Sequence, residues 1–215
     1  MAGLQTDDFT GTDTLVPELE KTVDSFRTGR LCFADFTREA TAIVRALEAA
    51  LRKSSVFTLS CDSARAFEPS GNRQVYSQPV SEYGHHRIAL LGIHRQFPVP
   101  VHDHPGMVSL ILLLNGRLHA PQYEIKPRRE SHILVELASC SDDILEPGDI
   151  AIVMAETGSL HGLKPLDNHA VCLTIQLCTE QNRGPRSWYF PLAPNQSGNS
   201  ALWYRIADKE ISYGI

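Results

Sequence analysis

Pro100-Val101-His102-Asp103-His104-Pro105-Gly106-Met107 runs directly into Val108-Ser109-Leu110-Ile111-Leu112-Leu113-Leu114, so two imidazoles stand at the mouth of a long apolar run. A second apolar run, Ile88-Ala89-Leu90-Leu91-Gly92-Ile93, lies just upstream. Both read as strands, and side chains along a strand alternate faces. His102 and His104 then point one way and Asp103 the other. Two imidazoles on one strand face suit a divalent transition metal. Pro105-Gly106 bends the chain sharply after the second of them. The competing reading is two unrelated surface histidines in a loop, and strand context on both sides weighs against it.

Outward from this stretch, short β-rich runs alternate with turn signals at 56–59, 87–94, 107–114, 117–125, 132–137, 150–154 and 170–177. Asn115-Gly116 separates two of them and is a hairpin signal, and Glu146-Pro147-Gly148-Asp149 marks another turn. Many short strands punctuated this way predict an antiparallel sandwich or barrel of the jelly-roll kind. Before residue 54 the period is helical. Leu19, Val23 and Phe26 define a first helix that Gly29 ends. Phe36, Ala40, Ile43, Val44, Leu47 and Leu51 form one apolar face of a second. The expected organisation is mainly β: a helical segment over 1–54 packed on a barrel over 55–215.

The chain has 215 residues, is 42% apolar and 21% charged, and carries a formal charge of -5. That charge argues against a nucleic-acid surface or an anionic membrane as partner. No apolar stretch approaches transmembrane length, and the start lacks a basic then apolar leader, so a cytoplasmic location is expected. The five cysteines (Cys32, Cys61, Cys140, Cys172 and Cys178) form no CxxC pair, which excludes a thiolate zinc site and a disulfide framework. Cys172 and Cys178 lie in or beside an apolar run and read as buried, inert thiols.

A catalytic metal needs a further ligand from a distant strand. His161, in Thr157-Gly158-Ser159-Leu160-His161-Gly162-Leu163, follows the turn and strand of 146–154. Together these segments resemble the two halves of a cupin motif, which implies a double-stranded β-helix with His102, His104 and His161 as metal ligands. Ordinary cupins add a Glu shortly after the second imidazole, where this chain has Val108 and Ser109. Three neutral imidazoles leave the metal's charge uncompensated and favour an anionic co-ligand such as a thiolate.

The run from Pro100 to Met107 is similar to that of the thiol dioxygenases, most of all the cysteamine dioxygenase and plant cysteine oxidase branch. Asn115-Gly116-Arg117-Leu118-His119 and Ser159-Leu160-His161 match its following hairpin and third-ligand loop. The resemblance covers about residues 85–190. It implies an Fe(II) enzyme that inserts both oxygens of O2 into a small thiol, or a thiol-bearing peptide, to give a sulfinate. Partners are then the thiol and O2, without nucleic acid or membrane, in a monomer or weak homodimer.

Laid on this family, Ser187-Trp188-Tyr189-Phe190 corresponds to a segment whose tyrosine approaches the iron, which makes Tyr189 the catalytic candidate; its competing role is core packing. Gln78 falls where the cysteine enzymes clamp the substrate carboxylate with Arg, and Gln there is also seen in the mercaptopropionate enzymes. Arg95 and Arg87 are candidates to meet a substrate carboxylate, the competing reading being a solvated strand end. The Ser-His-Tyr relay of the cysteine enzymes would fall near Cys172, Thr174 and Gln176, and none matches, so free cysteine loses ground. No thioether crosslink is expected, since its Cys would be Ser109. His119 is a candidate to orient a ligand from behind, and His169 is the rival to His161. Two other functions stay open: another metal-dependent cupin dioxygenase or isomerase, and a cupin that binds a ligand without catalysis.

Overall fold

The computed structural model describes residues 12–70, 73–129, 134–154, 160–179, 186–191 and 202–207. The polar start at 1–11, the beginning of the expected strand at 132–133, and Thr157 to Ser159 lie outside the described residues.

Helix α1 (Thr12–Arg27) and helix α2 (Phe33–Leu51) pack against each other. The buried face of α2 is the one its 3.6-residue period predicts: Phe36, Ala40, Ile43, Val44, Leu47 and Leu51. Leu19 and Val23 of α1 join the same core, and the Phe26 ring stacks on Phe36 with centroids 4.7 Å apart. The expected strand at 56–59 is instead part of helix α3 (Ser55–Arg65). The β preference of Val56 and Thr58 is overridden because the Ser54 hydroxyl accepts the Phe57 N–H at 3.4 Å, capping a helix. Phe57, Cys61 and Ala64 then fall on one buried stripe. Helical structure therefore runs on to Arg65. No helix among the described residues is long and apolar enough to cross a membrane.

The strands are β1 (Val75–Tyr83), β2 (His86–His94), β3 (Val99–His102), β4 (Met107–Asn115), β5 (Leu118–Arg129), β6 (Leu134–Leu145), β7 (Ile150–Met154), β8 (Leu160–Pro165), β9 (His169–Cys178), β10 (Trp188–Pro191) and β11 (Leu202–Ala207). One antiparallel sheet has the order β1-β2-β9-β4-β7. The other closes on itself in the order β10-β11-β6-β5-β8-β3, with β3 pairing back onto β10.

Strand alternation sorts the first sheet into two cores. Ile88, Leu90, Leu110, Leu112, Leu173 and Ile175 face the helices. Leu91, Ile93, Ile111, Leu113 and Cys172 face the barrel interior. A strand covered on both faces cannot alternate polar with apolar, which explains why 110–114 is uninterrupted hydrophobe. Gly92 lets α3 come close, since a Cβ there would lie 2.6 Å from the Ala64 carbonyl oxygen. Cys172, inside the barrel, is fully buried and its thiol is pushed up to about 12, an inert packing residue as expected.

A candidate metal centre in the barrel

β3, β8 and β10 build the site. His102 at the end of β3 pairs directly with His161 on β8 and, on its other side, with Trp188 on β10. These three side chains therefore share the interior face. β3 ends at His102, so His104 stands in the following turn rather than in the strand. The turn is closed by Met107 N–H donating to the His104 carbonyl at 3.1 Å, with Gly106 at φ 66. Pro105-Gly106 supplies that left-handed residue at no steric cost and returns the His104 ring to the side of His102.

The three imidazoles form one cluster. Ring centroids are 4.7 Å apart for His102–His104, 4.4 Å for His102–His161 and 5.0 Å for His104–His161. All are buried, at 3%, 4% and 2% exposure in chain order. The Nε2 atoms of His104 and His161 meet at 2.8 Å. A transition metal bonded to two neighbouring imidazole nitrogens sets them about 3 Å apart, so the pair already stands at ligand spacing. His102 Nδ1 donates to the Pro100 carbonyl at 2.8 Å, which leaves its Nε2 as a free lone pair. His161 Nδ1 is buried with no hydrogen-bond partner among the described residues.

Burial, together with the neighbouring imidazoles and Arg186, holds His102 well below the usual imidazole range. His104 is held low by burial, His161 and Arg186, and His161 is pulled down to about 3 by burial and Arg186. Three buried, neutral nitrogen donors fit a divalent metal. Among the described residues, no carboxylate lines their cavity, which measures about 20 Å³ and is walled by Leu91, Ile111 and Leu163. Ser109, where ordinary cupins would have their Glu or its neighbour, points into it.

Two curled antiparallel sheets, with a His pair after one strand and a third His on the strand paired to it, settle the architecture. The fold is a double-stranded β-helix. No protein-family model matches the chain, and no curated protein matches it either. Solved cupin-like structures are similar to it at low identity. A Klebsiella pneumoniae protein with a double-stranded β-helix domain shares 16% identity, covering 59% of this chain and 88% of that one, with a TM-score of 0.41. A Desulfitobacterium hafniense cupin superfamily protein shares 18%, covering 54% and 86%, with a TM-score of 0.36. KdgF from Halomonas shares 10%, covering 50% and 82%, with a TM-score of 0.37.

The other site candidates of this chain lie elsewhere. Tyr189 pairs with Val101, on the face opposite His102, and packs with Val135, Leu137 and Leu160. Its hydroxyl donates to Asp103 Oδ2 at 3.2 Å, while Ser187 N–H donates to Oδ1 at 2.7 Å. Asp103 thus pins β10 to the chain after β3, and Tyr189 is not among the residues lining the cavity. Gln78 pairs with Leu90, which places it on the helix-facing side of the first sheet. Arg95 is exposed and lines a surface depression with Asn115 and Asn168. His119 is held by Asp142 on the outside of β5, and not behind a ligand. His169 donates from Nε2 to the Phe67 carbonyl at 3.1 Å and clusters with His94 and Glu68, apart from the imidazole trio.

Ser109, Thr174 and Gln176, which the sequence reading weighed only as departures from the family pattern, line the cavity, and so does Arg186, which it did not name. Strand parity signals the first three: Ser109 shares its face with Ile111 and Leu113, and Thr174 and Gln176 share theirs with Cys172. Arg186 carries no such signal, because it stands outside β10. It leans over the Trp188 ring at 5.7 Å and reaches His104 Nδ1 at 3.5 Å.

Proposed function

We propose that this protein is a thiol dioxygenase that uses Fe(II) held by His102, His104 and His161. The observation that carries this reading is a ligand set of three neutral nitrogens whose cavity has no carboxylate among the described residues. Such a site keeps the metal's full charge available to an anionic sulfur ligand. Fe(II) bound there would supply the redox chemistry that lets a thiol and O2 combine.

The protein's own part is binding, orientation and exclusion of water. Pro100 fixes the His102 tautomer, and Trp188, with its ring centroid 4.9 Å from that of His102, seals one side of the imidazole. Leu91, Ile111 and Leu163 give the cavity an apolar wall that keeps it dry. In the net reaction sulfur is oxidised, O2 is reduced, both oxygen atoms end on sulfur, and the thiol proton is released. The substrate is a small thiol or a thiol-bearing peptide, and the enzyme works in the cytoplasm.

The test is anaerobic loading with Fe(II), then oxygen uptake against cysteamine, 3-mercaptopropionate, cysteine and a peptide with N-terminal Cys. Uptake with at least one of them, and a sulfinate product by mass spectrometry, is the expected result. Uptake with a diketone or phenol but with no thiol points to another cupin dioxygenase. Metal binding without oxygen consumption points to a ligand-binding cupin.

A further inference from the structure

The first sheet carries another pair of imidazoles at the end remote from the barrel cavity. His94, the last residue of β2, pairs directly with His169, the first of β9. They have the strand parity of Leu90 and Leu173, so both stand on the helix-facing side. Gln176, which lines the cavity, is seven residues along β9 from His169, roughly 23 Å away. The pair is therefore separate from the imidazole trio.

Residues opposite each other on antiparallel strands hold their Cβ atoms about 5 Å apart. Here the two rings meet edge to face with centroids 4.7 Å apart. The chain leaving α3 reaches them. Its Phe67 carbonyl accepts from His169 Nε2 at 3.1 Å, and the Glu68 carboxylate lies 4.0 Å from the same nitrogen. One donor atom from each of Glu68, His94 and His169 falls within 4.8 Å of the other two. Among the described residues, only this group and the barrel trio bring three such side chains so close.

Two imidazoles, a carboxylate and a carbonyl are nitrogen and oxygen donors of the kind Zn(II) takes, four at a time. Zinc would replace the proton that His169 shares with Phe67. Neighbouring ligand atoms on zinc stand about 3 Å apart, and these two already do. His94 gives up one bond, because its Nδ1 accepts the Gln96 N–H at 3.2 Å. Metal at Nδ1 displaces that N–H, and metal at Nε2 moves the ring proton onto Nδ1. Either way the N–H of Gln96, an exposed residue, turns to water. The Glu68 side chain is 78% exposed, so it can swing toward the ring without losing buried contacts. The nearby arginines oppose a cation only weakly. Arg65 is held by Asp62 and Arg117 by Asp167, each at 3.0 Å, and Arg95 is exposed, where salt screens it.

We propose that His94, His169, the Glu68 carboxylate and the Phe67 carbonyl form a second metal site, of zinc type, that fastens the segment leaving α3 to the end of the first sheet. It stands whether or not the barrel centre oxidises thiols. With an exposed carboxylate among its ligands, it holds metal more weakly than the buried trio. It therefore empties on desalting, and the metal that survives desalting belongs to the barrel centre.

The experiment is calorimetric titration of the full chain with zinc chloride. Two zinc ions should bind, the second more weakly than the first. His94→Gln should weaken the second by at least about 100-fold and Glu68→Gln by roughly 10-fold, with the first unchanged in both. Neither side chain is buried, so both variants should fold, which thermal unfolding checks. His161→Ala should remove the tight ion and leave the weak one. Zinc beyond the first equivalent should raise the thermal midpoint of the native chain and not that of His94→Gln, as fastening requires. A single zinc in the native chain overturns the site. So does a second zinc whose affinity survives both His94→Gln and Glu68→Gln, or one that His119→Ala removes instead.

Discussion

Asp103→Ala tests whether the second strand face of the metal motif has a job of its own. The carboxylate accepts the Ser187 N–H at 2.7 Å and the Tyr189 hydroxyl at 3.2 Å, and so ties β10 to the His102–His104 segment. Truncation leaves a backbone donor and a phenol without that partner. A hydrogen bond to a charged acceptor contributes about 1.5–3 kcal/mol and a neutral one about 1. Asp103 is only half-buried, so water recovers part of this, and the loss should be roughly 2–3 kcal/mol. Asp103→Asn keeps an acceptor for Ser187 and offers Tyr189 a donor to accept from. It also removes a charge that burial disfavours, since burial pushes the Asp103 carboxyl up. It should cost less than about 1 kcal/mol.

Denaturant unfolding followed by tryptophan fluorescence gives both numbers. Trp188 shares the strand that Asp103 holds, so the Ala variant should also shift the native emission and weaken metal binding. Tyr189→Phe should cost about 1 kcal/mol alone and nearly nothing on top of Asp103→Ala, because the two remove one interaction. An Ala variant within 0.5 kcal/mol of the parent would refute the reasoning, as would an Asn variant equally damaged (that threshold being about the error of additivity). A full loss of activity in Tyr189→Phe with unchanged stability would return Tyr189 to the chemistry.

Three further outcomes follow from the same geometry. His161→Ala should abolish stoichiometric metal binding by metal analysis, and His169→Ala should leave it intact; the reverse would move the site to the His94–His169 cluster. The metal-free protein should lose stability as pH falls below the ordinary imidazole value of 6.5. The three imidazoles stay neutral when folded but take protons when unfolded, so each contributes a slope of up to about 1.4 kcal/mol per pH unit toward low pH, and none above neutrality. Unfolding curves on either side of pH 6.5 check this, and a flat profile would contradict the burial of the trio. Gly92→Ala should destabilise the fold by about 1–3 kcal/mol, because the added Cβ meets backbone of α3 and not a movable side chain. Thermal unfolding measures it, and an unchanged midpoint would mean that α3 is not pressed against β2.

Much of this architecture is legible in one dimension because its signals are local and periodic. The apolar face of α2 repeats at helical spacing, and the spacing of residues 36–51 alone names its buried residues. The imidazole pair announces itself by proximity in sequence, and His161 by the resemblance of its loop. The strand expected at 56–59 failed for a local reason too: one serine cap and a stripe of Phe57, Cys61 and Ala64 outweighed β-branched residues. Gln78 and Arg95 lie away from the cavity: the pairing of β1 with β2 sets the face Gln78 shows, and Arg95 stands in the turn after β2.

What the sequence by itself determined is the inventory: a β-rich chain with two flanking helices, neutral donors suited to a metal, and no Glu at the usual position after them. What only the tertiary structure decided is convergence. Closure of the second sheet sets His161 opposite His102, and β10 turns Trp188 inward and Tyr189 outward. The folded barrel also gathers Ser109, Gln176 and Arg186 from three distant segments around one cavity. The physical reason is that burial and register are pairwise properties. A residue acquires its face, its dielectric and its counter-charge, or the lack of one, only when a strand far along the chain comes to lie beside it.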